Sequence, residues 1–194
     1  MNIIESERLK YQKAWAIDGY DHHSPGEEIS DLFKEIALPI QDETIIDLGT
    51  GSGRGALALA KMGLDVTVLD LTFDGLDKRA EGFRKIEASL WGAWNAEKRG
   101  SFHIPLNWDY GYCTDVMEHI PPEYVMLTLH KIMLACDKAF FHICLIPDGF
   151  GQLVGEPLHL TVMPFEWWRD HLGEIGTVLE SRDFMNNGIF YVER

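Results

Sequence analysis

Apolar residues recur along this chain with two different periods, and the changes of period divide it into alternating helices and strands. In "HSPGEEISDLFKEIALP", Ile29, Leu32, Phe33 and Ile36 follow at i, i+3, i+4 and i+7, the stripe of a helix lying on a core. Ser24 and Glu27 have capping-box spacing, Pro25 takes a favoured first helical position, and Pro39 stops the helix. The apolar run "TIIDL" then predicts a strand. A glycine-rich loop, a helix "GALALAKMG" closed by Gly63 and a second strand "DVTVLD" follow it. Such a β-α-β unit implies parallel strands, a right-handed crossover and a ligand crevice at the strands' carboxyl ends.

The alternation continues. "FDGLDKRAEG" predicts a short helix before a third strand, "FRKIEASLW", with one longer helix through Leu90 as the alternative. "YGYCTDV" predicts a fourth strand, "PPEYVMLTLHKIMLAC" a helix with Pro121 and Pro122 in its opening turn, and "KAFFHICLI" a fifth strand. Pro147 to Met163 carries Gly149, Gly151, Gly155 and Pro157 and is longer than most connections, which marks it as a working loop on the substrate side. A helix "PFEWWRDHL" precedes two closing strands, "GTVLESRDF" and "GIFYVER". The Asn187-Gly188 step between them favours a tight hairpin, hence an antiparallel final pair. No internal repeat or interdomain linker is visible, so residues 1–194 are expected to form a single domain.

Composition narrows the partners. Lys plus Arg is 17 and Asp plus Glu is 31, so 17 − 31 = −14, and the average surface field repels polyanions. That argues against nucleic acid, whose non-specific binding rests on basic side chains. Cys113, Cys136 and Cys144 are odd in number with no C-x-x-C pair, indicating neither a disulfide framework nor a zinc ribbon. The eight histidines lack H-x-x-x-H or H-E-x-x-H spacing, so no metal is expected. The opening "MNIIESERLKYQK" has no apolar h-region and no apolar run approaches about 18 residues, so a reducing cytoplasm without membrane insertion is the expectation. The oligomeric state is not fixed by any of these features.

The glycines of "TIIDLGTGSGRGALALA" could cradle a phosphate or let backbone approach an unphosphorylated nucleoside. A dinucleotide fingerprint started at Gly49 meets Arg54 in the third glycine position and fails. Started at Gly51 it reads Gly51, Gly53, Ala56, with Asp70 about 20 residues on, and is permitted. Asp47 decides against a phosphate: a carboxylate there suits a ligand bearing an ammonium and a sulfonium. An antiparallel closing hairpin is also foreign to the parallel dinucleotide fold.

Asp47-Leu48-Gly49-Thr50-Gly51-Ser52-Gly53 resembles the first motif of class I S-adenosylmethionine-dependent methyltransferases, and the resemblance runs from about Ser24 to Arg194. It takes in Asp70, the segment "CTDVMEHIPPE" and the closing hairpin. "DVMEHIPPE" with the tail "LHLTVMPFEWW" is more narrowly similar to small stand-alone enzymes of bacteria and phages. The resemblance implies an α/β, Rossmann-like, seven-stranded sheet, mostly parallel with an antiparallel C-terminal hairpin, and S-adenosylmethionine as cofactor. By the same resemblance Asp47, Gly49, Thr50, Gly51 and Gly53 approach the cofactor. Asp70 with Leu71 takes the ribose, Ser89 and Leu90 edge the adenine, and Asp115 borders the transferred methyl. Residues 1–23 would cap the site through Tyr11, Trp15 and Tyr20, with His22 beside them.

The acceptor has to be argued from residue chemistry. "IPPEY" lacks the Asp or Asn that amino-directed DNA methyltransferases place before the prolines, since Ile120 stands there and Glu123 intrudes before Tyr124. A small polar acceptor, metabolite or saccharide, methylated at oxygen or nitrogen, is therefore expected. An oxygen acceptor needs a base, and His119, following Asp115 and Glu118 past the fourth strand, suits that role. A cap on the "PPEY" helix is the competing role for His119. His22, His159 and Trp167 lie where this architecture places acceptor contacts. A non-catalytic protein that senses the same nucleoside is the alternative, and a nicotinamide-dependent oxidoreductase stands behind both.

Overall fold

The computed structural model describes residues 2–20, 24–99 and 102–194, and side chains except those of 97–99 and 102–105. His22 lies outside the described residues. Helix α1, Ile3–Trp15, opens with Asn2 accepting from Glu5 N at 2.9 Å, an N-cap that satisfies one orphan N–H. Helix α2 spans Gly26–Ala37 and turns off at Leu38, which is left-handed at φ 49°. It begins one residue later than the capping-box spacing predicts. Pro25 is in the cap position with no side-chain cap, and Ser24 faces a cavity instead.

Strand β1, Thr44–Leu48, leads through the glycine loop into α3, Arg54–Lys61, and on to β2, Asp65–Asp70. The predicted short helix is only a 3-10 turn, Lys78–Ala80, and the third strand β3 is confined to Arg84–Glu87. A two-stranded antiparallel hairpin, β4 (Ala96–Arg99) and β5 (Phe102–Pro105), stands apart from the main sheet and has no counterpart in the sequence reading. Strand β6 is Trp108–Thr114; 3-10 turns at Met117–His119 and Pro122–Tyr124 precede α4, Val125–Ala135. Strand β7, Cys136–Cys144, is followed by the long loop, which carries a one-turn helix α5, Gly151–Val154. Then come α6, Phe165–Gly173, and strands β8 (Thr177–Asp183) and β9 (Asn187–Glu193).

The main sheet has seven strands in the order β3-β2-β1-β6-β7-β9-β8. The first five are parallel, while β9 runs antiparallel to both β7 and β8. The expected closing hairpin is thus present, but Asn187 and Gly188 do not make its turn. They pair with Cys144 and Ile143 inside β9, and Met185 at φ 65° turns the chain. A side chain at 188 would strike the rings of Phe190 and Phe165 at 2.7 to 3.0 Å, so packing is what this glycine relieves.

Period-two alternation sends β1 to two cores. Ile46 and Leu48 join the layer with Leu129, Ile132 and Trp168 under α4 and α6, whereas Ile45 joins Phe33, Ala56 and Leu59 under α2 and α3. Phe33 meets Tyr110, Tyr112 and Phe140 edge-on at 5.5 to 5.6 Å, and the Tyr112 hydroxyl donates to Gly26 O at 2.6 Å, pinning the start of α2 to the sheet. Crossovers diverge between β1 and β6, and a crevice opens there at the carboxyl ends. Among the described residues no helix is long and apolar enough to cross a membrane.

Candidate active site

A cavity of about 580 Å³, within the range of small-molecule sites, opens at these strand ends. Its floor on one side is the glycine loop. Gly49 N and Thr50 N both donate to Leu69 O, at 2.8 and 3.0 Å, so the loop is tied to the end of β2. Gly51 N donates to Asp70 Oδ2 at 2.8 Å and Thr72 N to Asp70 Oδ1 at 3.2 Å, which aims the Asp70 carboxylate along the crevice. Burial raises its pKa to about 6 despite these hydrogen bonds. Gly49 has φ 75°, and a Cβ there would lie 2.6 Å from Val116 Cγ2, so backbone alone fits.

Tyr11, Gly49, Gly51, Asp70, Leu71, Ser89, Leu90 and Asp115 all line this one cavity. Among them, Tyr11 Oη and Ser89 Oγ are buried without a hydrogen-bond partner. A ligand with hydrogen-bonding edges would satisfy both, which is what a nucleoside cofactor offers.

Asp47, Thr50 and Gly53 are not in the wall. Asp47 shares the strand face of Ile45, so its carboxylate turns beneath the loop. There it accepts from Thr50 Oγ1 at 2.6 Å, and burial raises its pKa to about 7. It braces the loop from below rather than facing a ligand. Gly53 likewise serves packing, since a Cβ would meet Leu76 and Ala80 at 2.7 and 2.8 Å.

The opposite wall is made of side chains. His119 lies in the 3-10 turn after β6 with Nδ1 3.0 Å from Leu158 O, an acceptor that fixes Nδ1 as the protonated nitrogen. Its ring meets Tyr11 at 5.9 Å and His159 at 4.7 Å, so it does not cap the following helix. Burial pushes its pKa down to about 4, leaving a neutral imidazole at working pH. His159 Nδ1 is 2.7 Å from Ile146 O. Asp115, at φ 53°, sits with Oδ1 3.0 Å from His142 Nδ1. Glu118 is fully buried and outside the cavity wall; it accepts from Cys144 N at 3.0 Å, and desolvation followed by Asp115 holds its carboxyl well above the usual range. Trp167 is also outside the wall, stacked on His171 at 3.7 Å.

Several wall residues escaped the sequence reading. Glu7 projects from α1 and is paired with Lys10 Nζ at 2.5 Å, with both side chains nearly excluded from solvent. Asp148 accepts from the N–H groups of Gly151, Leu158 and His159, so one carboxylate organises the long loop that carries two ring contacts of the site. Trp15, by contrast, was expected in the cap, and its ring covers Gly51 and Gly75, where added Cβ atoms would lie 3.2 and 2.2 Å from it. Among the described lining residues the charged ones are Glu7, Glu28, Asp70, Asp115 and Asp148, with no lysine or arginine.

The strand order and closing hairpin are those of the Rossmann-like methyltransferase fold, and solved structures of that fold superpose on the chain. One is 1,6-didemethyltoxoflavin-N1-methyltransferase of Burkholderia thailandensis, solved with 1,6-didemethyltoxoflavin and S-adenosylhomocysteine. It is 14% identical with a TM-score of 0.67 over 100% of this chain and 91% of that one. Magnesium protoporphyrin IX methyltransferase of Synechocystis PCC 6803, solved with S-adenosylmethionine, gives 14% identity and a TM-score of 0.62 over 100% and 85%. The PH0226 protein of Pyrococcus horikoshii gives 13% and 0.68 over 89% and 90%. No protein-family profile and no curated protein sequence matches the chain.

Proposed function

We propose that this protein transfers the methyl group of S-adenosylmethionine to a small polar acceptor. The observation that carries the reading is an acid-lined cavity, in which the glycine loop, Asp70, Ser89 and Tyr11 converge at the switch point of a methyltransferase fold. When bound, the cofactor supplies a methyl group on a cationic sulfur, ready for in-line displacement. Asp70, beside Leu71, accepts from the ribose hydroxyls, Ser89 and Leu90 flank the base, and Gly49 and Gly51 let backbone approach the amino-acid end. Helix α1 caps the site through Tyr11 and Trp15. The carboxylates lining the wall attract a cationic ligand and repel a pyrophosphate.

On the acceptor side, Nε2 of neutral His119 is the atom to receive a hydroxyl proton as the new bond forms. A side chain with its pKa near 4 is a weak base, so its contribution depends on position and on exclusion of water. A nitrogen acceptor with a free lone pair would need no such help. Incubation with methyl-labelled cofactor and a fractionated metabolite pool tests the reading: S-adenosylhomocysteine and a labelled small molecule should form together. Cofactor binding with no turnover on any fraction would instead favour a sensor of the nucleoside.

A further inference from the structure

Behind the acceptor wall, one potential ligand atom from each of Glu118, Cys144 and His159 falls within 4.8 Å of the other two. The three come from different segments: the turn after β6, the last residue of β7, and the long loop. The Glu118 side chain is fully buried, its Oε1 is held by Cys144 N at 3.0 Å, and its Oε2 has no hydrogen-bond partner. Beyond desolvation, a second acid, Asp115, raises the pKa of the same carboxyl, while its own Oδ1 lies 3.0 Å from His142 Nδ1. An acid oxygen left without a hydrogen bond in so dry a place is satisfied by a proton or by a cation.

We infer that Glu118, Cys144 and His159 form a binding site for a divalent cation of borderline softness, of the zinc or cobalt type. The donor set, a carboxylate, a thiolate and an imidazole, is one that such ions prefer and that magnesium or calcium does not. Glu118 lies outside the cavity wall, so an organic ammonium in the cavity cannot reach Oε2, whereas a bare ion lodged between it and the lining residues Cys144 and His159 can. In tetrahedral sites, bond lengths of about 2.0 to 2.3 Å put ligand atoms roughly 3.5 Å apart, so the three need to close by about 1 Å, within the reach of side-chain rotation. Three protein ligands leave a fourth position open. Cys144 and His159 face the cavity, so that position opens on the acceptor side, where it can take a water or an acceptor oxygen. The inference stands whether or not methyl transfer is the reaction.

The test is titration of the metal-free protein with zinc by calorimetry and with cobalt by absorption. One saturable site per chain is expected, with a thiolate-to-cobalt charge-transfer band. Cys144→Ser should abolish the band and weaken zinc at least tenfold, and His159→Gln, on the loop, should weaken it similarly. His130→Gln, an exposed histidine of α4, should change nothing. Melting curves taken alongside show that each variant is folded, and His159→Gln decides the matter if Cys144→Ser is not. Absence of saturable binding, a cobalt complex without the thiolate band, or unchanged affinity in the folded variants would overturn the inference.

Discussion

The glycine-loop side of the cavity is held by backbone, with Gly49 N and Thr50 N on Leu69 O and Gly51 N on Asp70, all within a few residues of two adjacent parallel strands. The opposite side is assembled from side chains of distant segments: Tyr11 and Glu7 of α1, His119 after β6, Asp148 and His159 of the long loop. The first wall is thus a property of the fold and suits a ligand shared by many proteins of that fold. The second is a property of this sequence and, on the proposed reading, is where the acceptor is chosen. Substitutions on the two sides should separate cofactor affinity from turnover.

The largest effect is expected on the second wall. His119→Gln should lower turnover by about 10² with an oxygen acceptor while leaving cofactor affinity within a few-fold. Steady-state rates and calorimetry on the same preparation check it, and a matched loss of affinity would erase the distinction between the walls. With the imidazole pKa near 4, the His119 contribution should be constant from pH 6 to 8 and fail only as the pH approaches 4. On the first wall, Asp70→Ala should cost about 1–3 kcal/mol of cofactor affinity, the scale of a lost charged hydrogen bond. The turnover of saturated enzyme should change much less.

These residues also show what the sequence made legible. The strand "TIIDL", the glycine loop and Asp70 are contiguous and carry a strict alternation, so the first wall could be placed in advance. Even there the parity of β1 mattered: Asp47 shares the face of Ile45 and braces the loop, a role that the motif alone did not reveal. Helix α1 went unrecognised because its buried stripe, Glu7, Lys10 and Ala14, has helical spacing but is built on an ion pair, which apolar periodicity cannot detect. The β4–β5 hairpin has strands of four residues, too short to establish an alternation. Asn187-Gly188 has turn chemistry but was claimed by packing against Phe190.

A smaller effect comes from the protonation of the first wall. The pKa values of Asp47 and Asp70 are raised from 3.8 to about 7 and about 6, so the folded protein holds more protons than the unfolded chain between those limits. Their contribution to stability is full below pH 3.8 and is lost as the pH rises through 6 to 7. His119, lowered to about 4, works in the opposite sense between about 4 and 6.5, and the two aspartates with Glu118 outweigh it. The ligand-free protein should therefore melt lower at pH 8 than at pH 5.5, as differential scanning calorimetry would show. Cofactor affinity should rise over the same interval, by up to about tenfold per pH unit below 6, because Asp70 must be ionised to accept from the ribose. The smallest effect belongs to Trp167, outside both walls: Trp167→Phe should leave affinity and turnover within about twofold, as expected for a change away from the site.

The most direct measurement is calorimetric titration of the protein with S-adenosylmethionine and, separately, with NAD. The acid-lined cavity and the Asp70-anchored loop predict saturable one-to-one binding of S-adenosylmethionine, and no heat with NAD, whose pyrophosphate would enter a cavity lined, among the described residues, by carboxylates without a lysine or arginine. Saturable NAD binding without binding of S-adenosylmethionine would contradict the account.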